Sequence, residues 1–250
     1  MEFLGIDIGC TSIKHGLVCL EGEITVRNFD MIFISQVSRT KKYTDTLKYL
    51  VESTPDYQAA GLGFPSVVRD DRILNTTIEF NAIWEQVSEL LKLHGVPCFA
   101  INDADAAGMA EVYRHGCALL RKGVTLVITL GTGIGSALFL DGKLLPNTEL
   151  GLIEMHGMHA EEYAAPSIKT RDSLSLEEWS ARLQEYLFLV DKYLAPHHIV
   201  LGGGISADFE AYRPLLSTRA ELMPAFYRNQ AGVIGAAMYA AYMTHQYELV

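Results

Sequence analysis

A strand–turn–strand unit occurs twice in this chain, and the repeat limits the folds open to it. Residues 2–8 (EFLGIDI) and 13–19 (IKHGLVC) read as strands flanking a tight turn at Gly9–Ser12. Residues 123–130 (GVTLVITL) and 136–140 (SALFL) repeat the arrangement around a GTGIG turn. A duplicated unit of this kind fits two similar α/β lobes better than one doubly wound sheet. The 250 residues, 49% of them hydrophobic, suffice for a substantial core in one large domain or two small lobes. The expected division is an N-terminal α/β lobe over 1–101 and a larger C-terminal α/β lobe over 102–236. A C-terminal helix of about 237–250 is expected to pack back on the first lobe.

Between the repeats, 44–51 and 83–94 carry apolar positions at helical spacing, while 57–64 reads as a strand leading into Pro65. The buried strand 97–101 runs directly into NDADAA (102–107) and a helix of small residues to about Tyr113. The clearest helix starts at Ser175, where Ser175 and Glu178 form a candidate capping box, and stops at Ala195–Pro196. A strand at 198–201 enters LGGGIS, and a last helix starts near Ala231.

Composition excludes several function classes. A net charge of −10 disfavours nonspecific binding to nucleic acid or an anionic membrane. It leaves room for a phosphate ligand, because loop amides, helix N-termini and a divalent metal supply local positive potential. No basic, apolar leader is visible, and the longest weakly polar stretch, Gly232 to Met243, is shorter than the ~20 residues of a membrane span. The four cysteines (Cys10, Cys19, Cys98, Cys117) lie far apart with no CxxC pair. That spacing argues against a structural zinc site and for reduced thiols in a cytoplasm.

Three glycine-bearing runs stand where phosphate loops would: GIDIGCTSIK at 5–14, LGTGIGSALF at 130–139 and LGGGIS at 201–206. Glycine lets a loop approach a bound group and turn its N–H groups toward phosphate oxygens. The second and third runs, taken singly, read equally well as tight turns, and the competing reading of the first is a polar hairpin turn. Together, with NDADAA before the second, they suggest two lobes closing on a phosphorylated ligand. The first run lacks the following helix and Lys-Ser/Thr pair of a Walker A loop. The alternating Gly131, Gly133 and Gly135 do not match a dinucleotide fingerprint. In NDADAA, a carboxylate at a strand end beside a helix N-terminus can be held ionised, and Asn102 offers both donor and acceptor. The competing role for Asp103 or Asp105 is a helix cap. For Glu149 and Glu161 the competing role is a solvated helix face.

DIGCTSIK, NDADAAGMAE, LGTGIGSALFLDGKLLPNTELG and LGGGIS resemble, in that order, the motifs of the ROK sugar kinases of the actin-like ATPase superfamily. The likeness runs nearly the whole length and is strongest to the polyphosphate glucokinase branch. That branch also has counterparts of PNTELG, of the helix containing Trp179 and Arg182, and of PAFYRNQAGVIGAA. The resemblance implies a two-lobed actin-like (ribonuclease H-like) fold with the active site in the interlobe cleft. It implies phosphoryl transfer from ATP or polyphosphate, with Mg²⁺, to a hexose, most directly the 6-hydroxyl of glucose. It also implies a cytoplasmic homodimer, with neither nucleic acid nor membrane as partner.

By the same resemblance Asp103 is the general base, and Asn102, Glu149, Glu161 and the Pro65 loop hold the sugar. Asp7, Gly9, Thr11, Lys14, Gly131, Thr132, Gly133, Gly203 and Gly204 meet the phosphates, and Asp7 also orients the metal's water shell. The chain departs from the pattern at several points. Cys10 stands for a glycine, Leu152 for a sugar-contacting histidine, Ser66 for a glycine and Ala207 for a lysine, and the zinc-binding cysteine cluster of many members is missing. His156 and His159 lie near Leu152 in sequence and can either compensate for the lost histidine or stand on the surface. The acidic LEEW at 176–179 offers a long polyanion a poorer track. A non-catalytic ROK-fold sugar or nucleotide sensor is the alternative, against which the retained Asp103 argues.

Overall fold

Unbroken apolar strands need cover on both faces, and helices supply it in each half of this chain. The computed structural model describes residues 1–34, 39–70, 72–74 and 80–249. It divides into two compact units, residues 1–110 together with the chain from Gly232 onward, and residues 111–231.

The first unit opens with the meander β1 (Glu2–Ile8), β2 (Ser12–Cys19) and β3 (Thr25–Phe33), followed by α1 (Arg39–Ser53) and β4 (Ala60–Phe64). A small hairpin of β5 (Val67–Arg69) and β6 (Arg72–Leu74), helix α2 (Phe80–Leu93), β7 (Cys98–Asn102) and α3 (Asp103–Val112) complete the run. The sheet order is β3-β2-β1-β4-β7, with β1, β4 and β7 parallel and β2 and β3 antiparallel. Leu4, Ile6, Ile8, Leu62 and Phe64 of the sheet share one core with Tyr43 and Leu47 of α1 and Ile83, Val87 and Leu91 of α2. Phe80 meets the rings of Tyr43 and Phe64 edge-on at 5.5 and 5.9 Å.

The second unit repeats the plan. Its strands are β8 (Val124–Leu130), β9 (Ile134–Leu140), β10 (Lys143–Leu145), the hairpin β11 (Glu154–Met155) and β12 (Met158–His159), β13 (His198–Gly202) and β14 (Glu221–Pro224). Its helices are α4 (Ala160–Ala164), α5 (Pro166–Arg171), α6 (Leu176–Leu194) and α7 (Phe209–Tyr212). The main sheet runs β10-β9-β8-β13-β14, again with three parallel strands after an antiparallel pair. Helix α6 lays Trp179, Leu183, Tyr186, Leu187 and Val190 against this sheet. The expected capping box is formed: Ser175 Oγ accepts from the Glu178 amide at 3.1 Å, and Glu178 Oε2 from the Ser175 amide at 2.8 Å.

The chain then returns to the first unit as α8 (Ala231–Met243). This helix comes against the backbone of β1 and β4 at two glycines. A Cβ on Gly5 would stand 2.0 Å from the Val233 carbonyl oxygen, and one on Gly61 1.8 Å from that of Ala236. Helix α8 meets α3 as closely, since a Cβ on Gly235 would reach 1.6 Å from the Ala106 oxygen.

The division differs from the 1–101 and 102–236 boundaries expected from sequence. Most of α3 and all of α8 from Gly232 go with the first unit, because the two helices pack on each other there, and the second unit is the smaller. The short elements β5, β6, β10 to β12, β14, α4, α5 and α7 were not anticipated, being too short to show a period. Among the described residues, no helix is long and apolar enough to cross a membrane.

Candidate active site

Parallel strands aligned in register bring their carboxyl ends to one edge, and the polar residues of the first unit collect there. Asp7 pairs with Lys14 on β2 and with Gly63 on β4, while Phe64 pairs with Asn102 on β7. Lys14 Nζ donates to Asp7 Oδ2 at 2.8 Å. Asp7 also lies against the first turn of α8, where a Cβ on Gly232 would come within 2.7 Å of its carboxyl carbon. The carboxylate is therefore held between a lysine and a helix N-terminus.

Asn102 is the residue that caps α3. Its Oδ1 accepts from the Asp105 amide at 3.0 Å, and its Nδ2 donates to the Ser66 carbonyl at 3.1 Å. The cap thus belongs to neither aspartate. Asp103, half-buried, begins the helix directly above Gly63 and accepts from the Ala104 amide at 2.8 Å through Oδ1. Pro65 and Ser66 follow β4 immediately, and Ser66 closes on the Leu74 carbonyl through its hydroxyl. Ser66 keeps an ordinary φ, so the side chain replacing glycine costs no backbone strain.

The turn at Gly9–Thr11 is braced. The Gly9 amide donates to the Ser12 carbonyl at 2.8 Å, and the Gly9 carbonyl accepts from the Tyr43 hydroxyl at 2.7 Å. Gly9 therefore shapes the turn with its own N–H rather than offering it outward. The Thr11 carbonyl accepts from the Ile34 amide at 2.9 Å.

In the second unit, register again sets two loops side by side, since Gly202 at the end of β13 pairs with Thr129 near the end of β8. The Gly131 amide donates to the Gly133 carbonyl at 3.0 Å. Ser167, in the first turn of α5, donates its amide to Gly131 at 3.2 Å and its hydroxyl to Thr132 at 2.6 Å. Gly203 has φ +82°, and a Cβ there would lie 2.0 Å from the Leu130 oxygen, so only glycine passes. Ser206 then closes the loop onto the Gly203 carbonyl through amide and hydroxyl, while Gly204 has open space around its α-carbon.

Glu161 extends from α4 to this region. Its Oε2 accepts from the Ile134 amide at 3.3 Å, and a Cβ on Gly133 would be 2.3 Å from that oxygen. Gly133 is therefore small for the sake of the glutamate as much as for the turn. Glu149 is half-buried, and burial first and the charge of Glu161 second raise its pKa above the ordinary carboxylate value. Its segment is pinned to β9, where Ser136 Oγ donates to the Thr148 carbonyl at 2.5 Å and accepts from the Leu150 amide at 3.0 Å. Two carboxylates thus converge beside a glycine loop, an arrangement suited to accepting hydrogen bonds from a polyhydroxyl ligand.

A family model for the ROK family matches residues 3–161. The polyphosphate glucokinase of Mycobacterium tuberculosis is 32% identical over 238 residues, covering 94% of this chain and 89% of that one. The chain belongs to the ROK family.

Among solved structures, the inorganic polyphosphate/ATP-glucomannokinase of Arthrobacter sp. strain KM superposes with a TM-score of 0.84 at 36% identity, covering 97% of this chain and 99% of that one. A ROK glucokinase from Streptomyces griseus, solved with glucose and AMPPNP, gives 0.79 at 21% identity over 97% and 100% of the two chains. That match speaks for the fold, which is the actin-like one expected.

Not every residue singled out in the sequence joins these clusters. His156 is bonded to Glu185 of α6, and His159 is exposed at the start of α4, its amide donating to Glu162 at 3.0 Å. Leu152, in the 3-10 turn Leu150–Leu152 next to Glu149, is 46% exposed. Reading the sequence missed Tyr43 behind the first loop and Ser167 behind the second. Pro166, a favoured first residue of a helix, was the available sign of α5.

Proposed function

We propose that this ROK chain is a hexose kinase that moves a phosphoryl group from ATP or polyphosphate to a hexose, most directly the 6-hydroxyl of glucose. The observation that carries the reading is Asp103, set at a strand end and helix start over Gly63, in a chain similar over nearly its whole length to glucokinases. In this mechanism Asp103 accepts the hydroxyl proton as the oxygen attacks in line. Asn102, already bonded through one N–H and one lone pair, keeps its second N–H and second lone pair for a neighbouring hydroxyl. Pro65, the residue after β4, belongs to the loop under the sugar by the family resemblance, and Glu149 and Glu161 accept from sugar hydroxyls.

Thr11, Lys14, the Gly131–Thr132–Gly133 turn and the Gly203–Gly204 turn serve the phosphates, with Gly9 shaping the first loop. Mg²⁺ suits this set, because it keeps several of its waters when bound beside phosphates, and Asp7 would hold it through that water shell. The chemistry it would supply there is neutralisation of charge on the transferring group. A purely sensory role leaves Asp103 without work. The same reading carries a cytoplasmic homodimer with it, in line with the family resemblance.

The donor is where resemblance and charge pull apart. The relatives are named for polyphosphate, whereas this chain has a net charge of −10 and exposes Glu177 and Glu178 at the head of α6. Two nearby basic groups are already committed, since Arg171 and Arg182 both pair with Asp172. Each missing surface contact to a long polyanion costs ~1 kcal/mol or less, yet several add up. The expected result is measurable turnover of glucose with ATP, and polyphosphate use that is weak or falls steeply with salt. A coupled assay with both donors, at low salt and at about 0.5 M salt, decides the matter. No hexose phosphorylated with either donor would overturn the function. Efficient polyphosphate use at high salt without ATP use would overturn the donor preference.

The acceptor gives a second test. Leu152 neither donates nor accepts, so a hydroxyl facing it goes unpaired on the protein side. Leu152→His is expected to lower KM for glucose by about twofold to tenfold, the worth of one hydrogen bond to an uncharged group. An unchanged or higher KM would refute this view of the pocket.

A further inference from the structure

Helix α4 is a single turn of five residues, too short to hold its own shape, yet it carries Glu161. Its fully buried residues are two alanines, Ala160 and Ala164, and Tyr163 packs, partly buried, against the same core. On one side Glu161 ties it to the Ile134 amide. On the other, three side chains of α6 at three-residue spacing reach it. Trp179 Nε1–H donates to the Ala164 carbonyl at 2.9 Å. Arg182 donates to the Tyr163 carbonyl at 3.4 Å and lies over the Tyr163 ring, 5.0 Å from its centroid.

Glu185 completes the row. Its Oε1 accepts from the Tyr163 hydroxyl at 3.0 Å, and its Oε2 bonds His156 Nε2 at 2.6 Å. His156 is the first residue of the two-residue turn between β11 and β12, and β12 runs straight into α4. The His156 and Tyr163 rings lie 4.8 Å apart. One carboxylate therefore grips the helix and the hairpin that feeds it. The bonds from His156 and then Tyr163, with the charge of Arg182, hold its carboxyl below the ordinary carboxylate pKa. An isolated surface ion pair contributes little. Here the pair closes a ring of contacts around a helix whose one large side chain, Tyr163, is only partly buried.

We infer that Glu185 is a positioning residue for hexose binding: by fixing Tyr163 and His156 it sets α4, and with it the Glu161 carboxylate. The inference rests on the reading of Glu161 as a sugar ligand, and the test separates the two. Hydrogen exchange at the Ile134 amide, which donates to Glu161, reports the placement of that carboxylate without any turnover. In Glu185→Ala that amide is expected to exchange severalfold faster, while KM for hexose rises about threefold to tenfold and kcat stays within about twofold.

Glu185→Gln, which can still accept from Tyr163 and bond His156, is expected to restore both readouts to near the wild-type values. Tyr163→Phe, which loses only the hydroxyl, is expected to move them in the direction of the alanine variant and stands in should that variant not fold. Unchanged exchange and unchanged KM in a folded Glu185→Ala protein would overturn the inference, as would a fall in kcat at constant KM. If wild-type protein phosphorylates no hexose, the hexose reading fails and the exchange arm alone judges the role of Glu185.

Discussion

Asp103→Asn lowers kcat for hexose phosphorylation about a hundredfold or more while leaving the protein folded, which is the expected size for removing a general base. The substitution keeps shape and removes basicity. Asparagine still accepts from the Ala104 amide, as Asp103 Oδ1 does, and the α3 cap is untouched because Asn102 makes it. Stability is therefore expected to shift by no more than about 0.5 kcal/mol, read as a thermal midpoint close to that of the wild type. KM for the hexose should change little, since proton acceptance matters in the transition state and less in the ground state. Turnover at the wild-type rate would remove Asp103 from the mechanism. A large loss of stability would show that the residue is structural after all.

Gly61→Ala is expected to cost about 3 kcal/mol or more, at the upper end of what overpacking does. The added methyl would stand 1.8 Å from the Ala236 carbonyl oxygen and 2.4 Å from its carbon, both backbone atoms of α8. No rotamer relieves such a clash, so the helix must lift from β4. It cannot lift alone, because Gly5 and Gly235 hold it equally close to β1 and α3. Gly204→Ala is the matched control, having open space around its α-carbon and no positive φ. Urea unfolding of the two variants should give a much lower midpoint for the first and a near wild-type midpoint for the second. Equal midpoints would mean that α8 adjusts to the extra carbon.

The duplication was legible because it rests on strand–turn–strand patterning, which a period of two and a glycine turn betray in any sequence. The antiparallel pairs β1–β2 and β8–β9 follow from it. The candidate site residues Asp103, Asn102 and Glu161 came from the family likeness. Their supports were not legible. That Asn102, and neither aspartate, caps α3 depends on the Ser66 carbonyl lying across the strand end, which spacing along the chain does not encode. The partner of His156 lies 29 residues away on α6, and that of Gly133 is a glutamate on a five-residue helix. Contacts of this kind arise from packing, and short elements leave no periodic trace. The unit boundary was placed early for a related reason. A helix of small residues looks like the opening of a new lobe until a second such helix is seen lying on it.

The mingling of backbones at α8 also governs the order in which this protein can mature. During synthesis, residues 111–231 leave the ribosome as a continuous run holding every strand of the second unit. The first unit, although begun earlier, waits with the floor of β1 and β4 bare until residues 231–243 arrive, because its glycines match that helix and nothing longer-limbed. The half of the chain made first is thus the half finished last. Its exposed strands must be kept from wrong partners for the whole time the other half takes to be made.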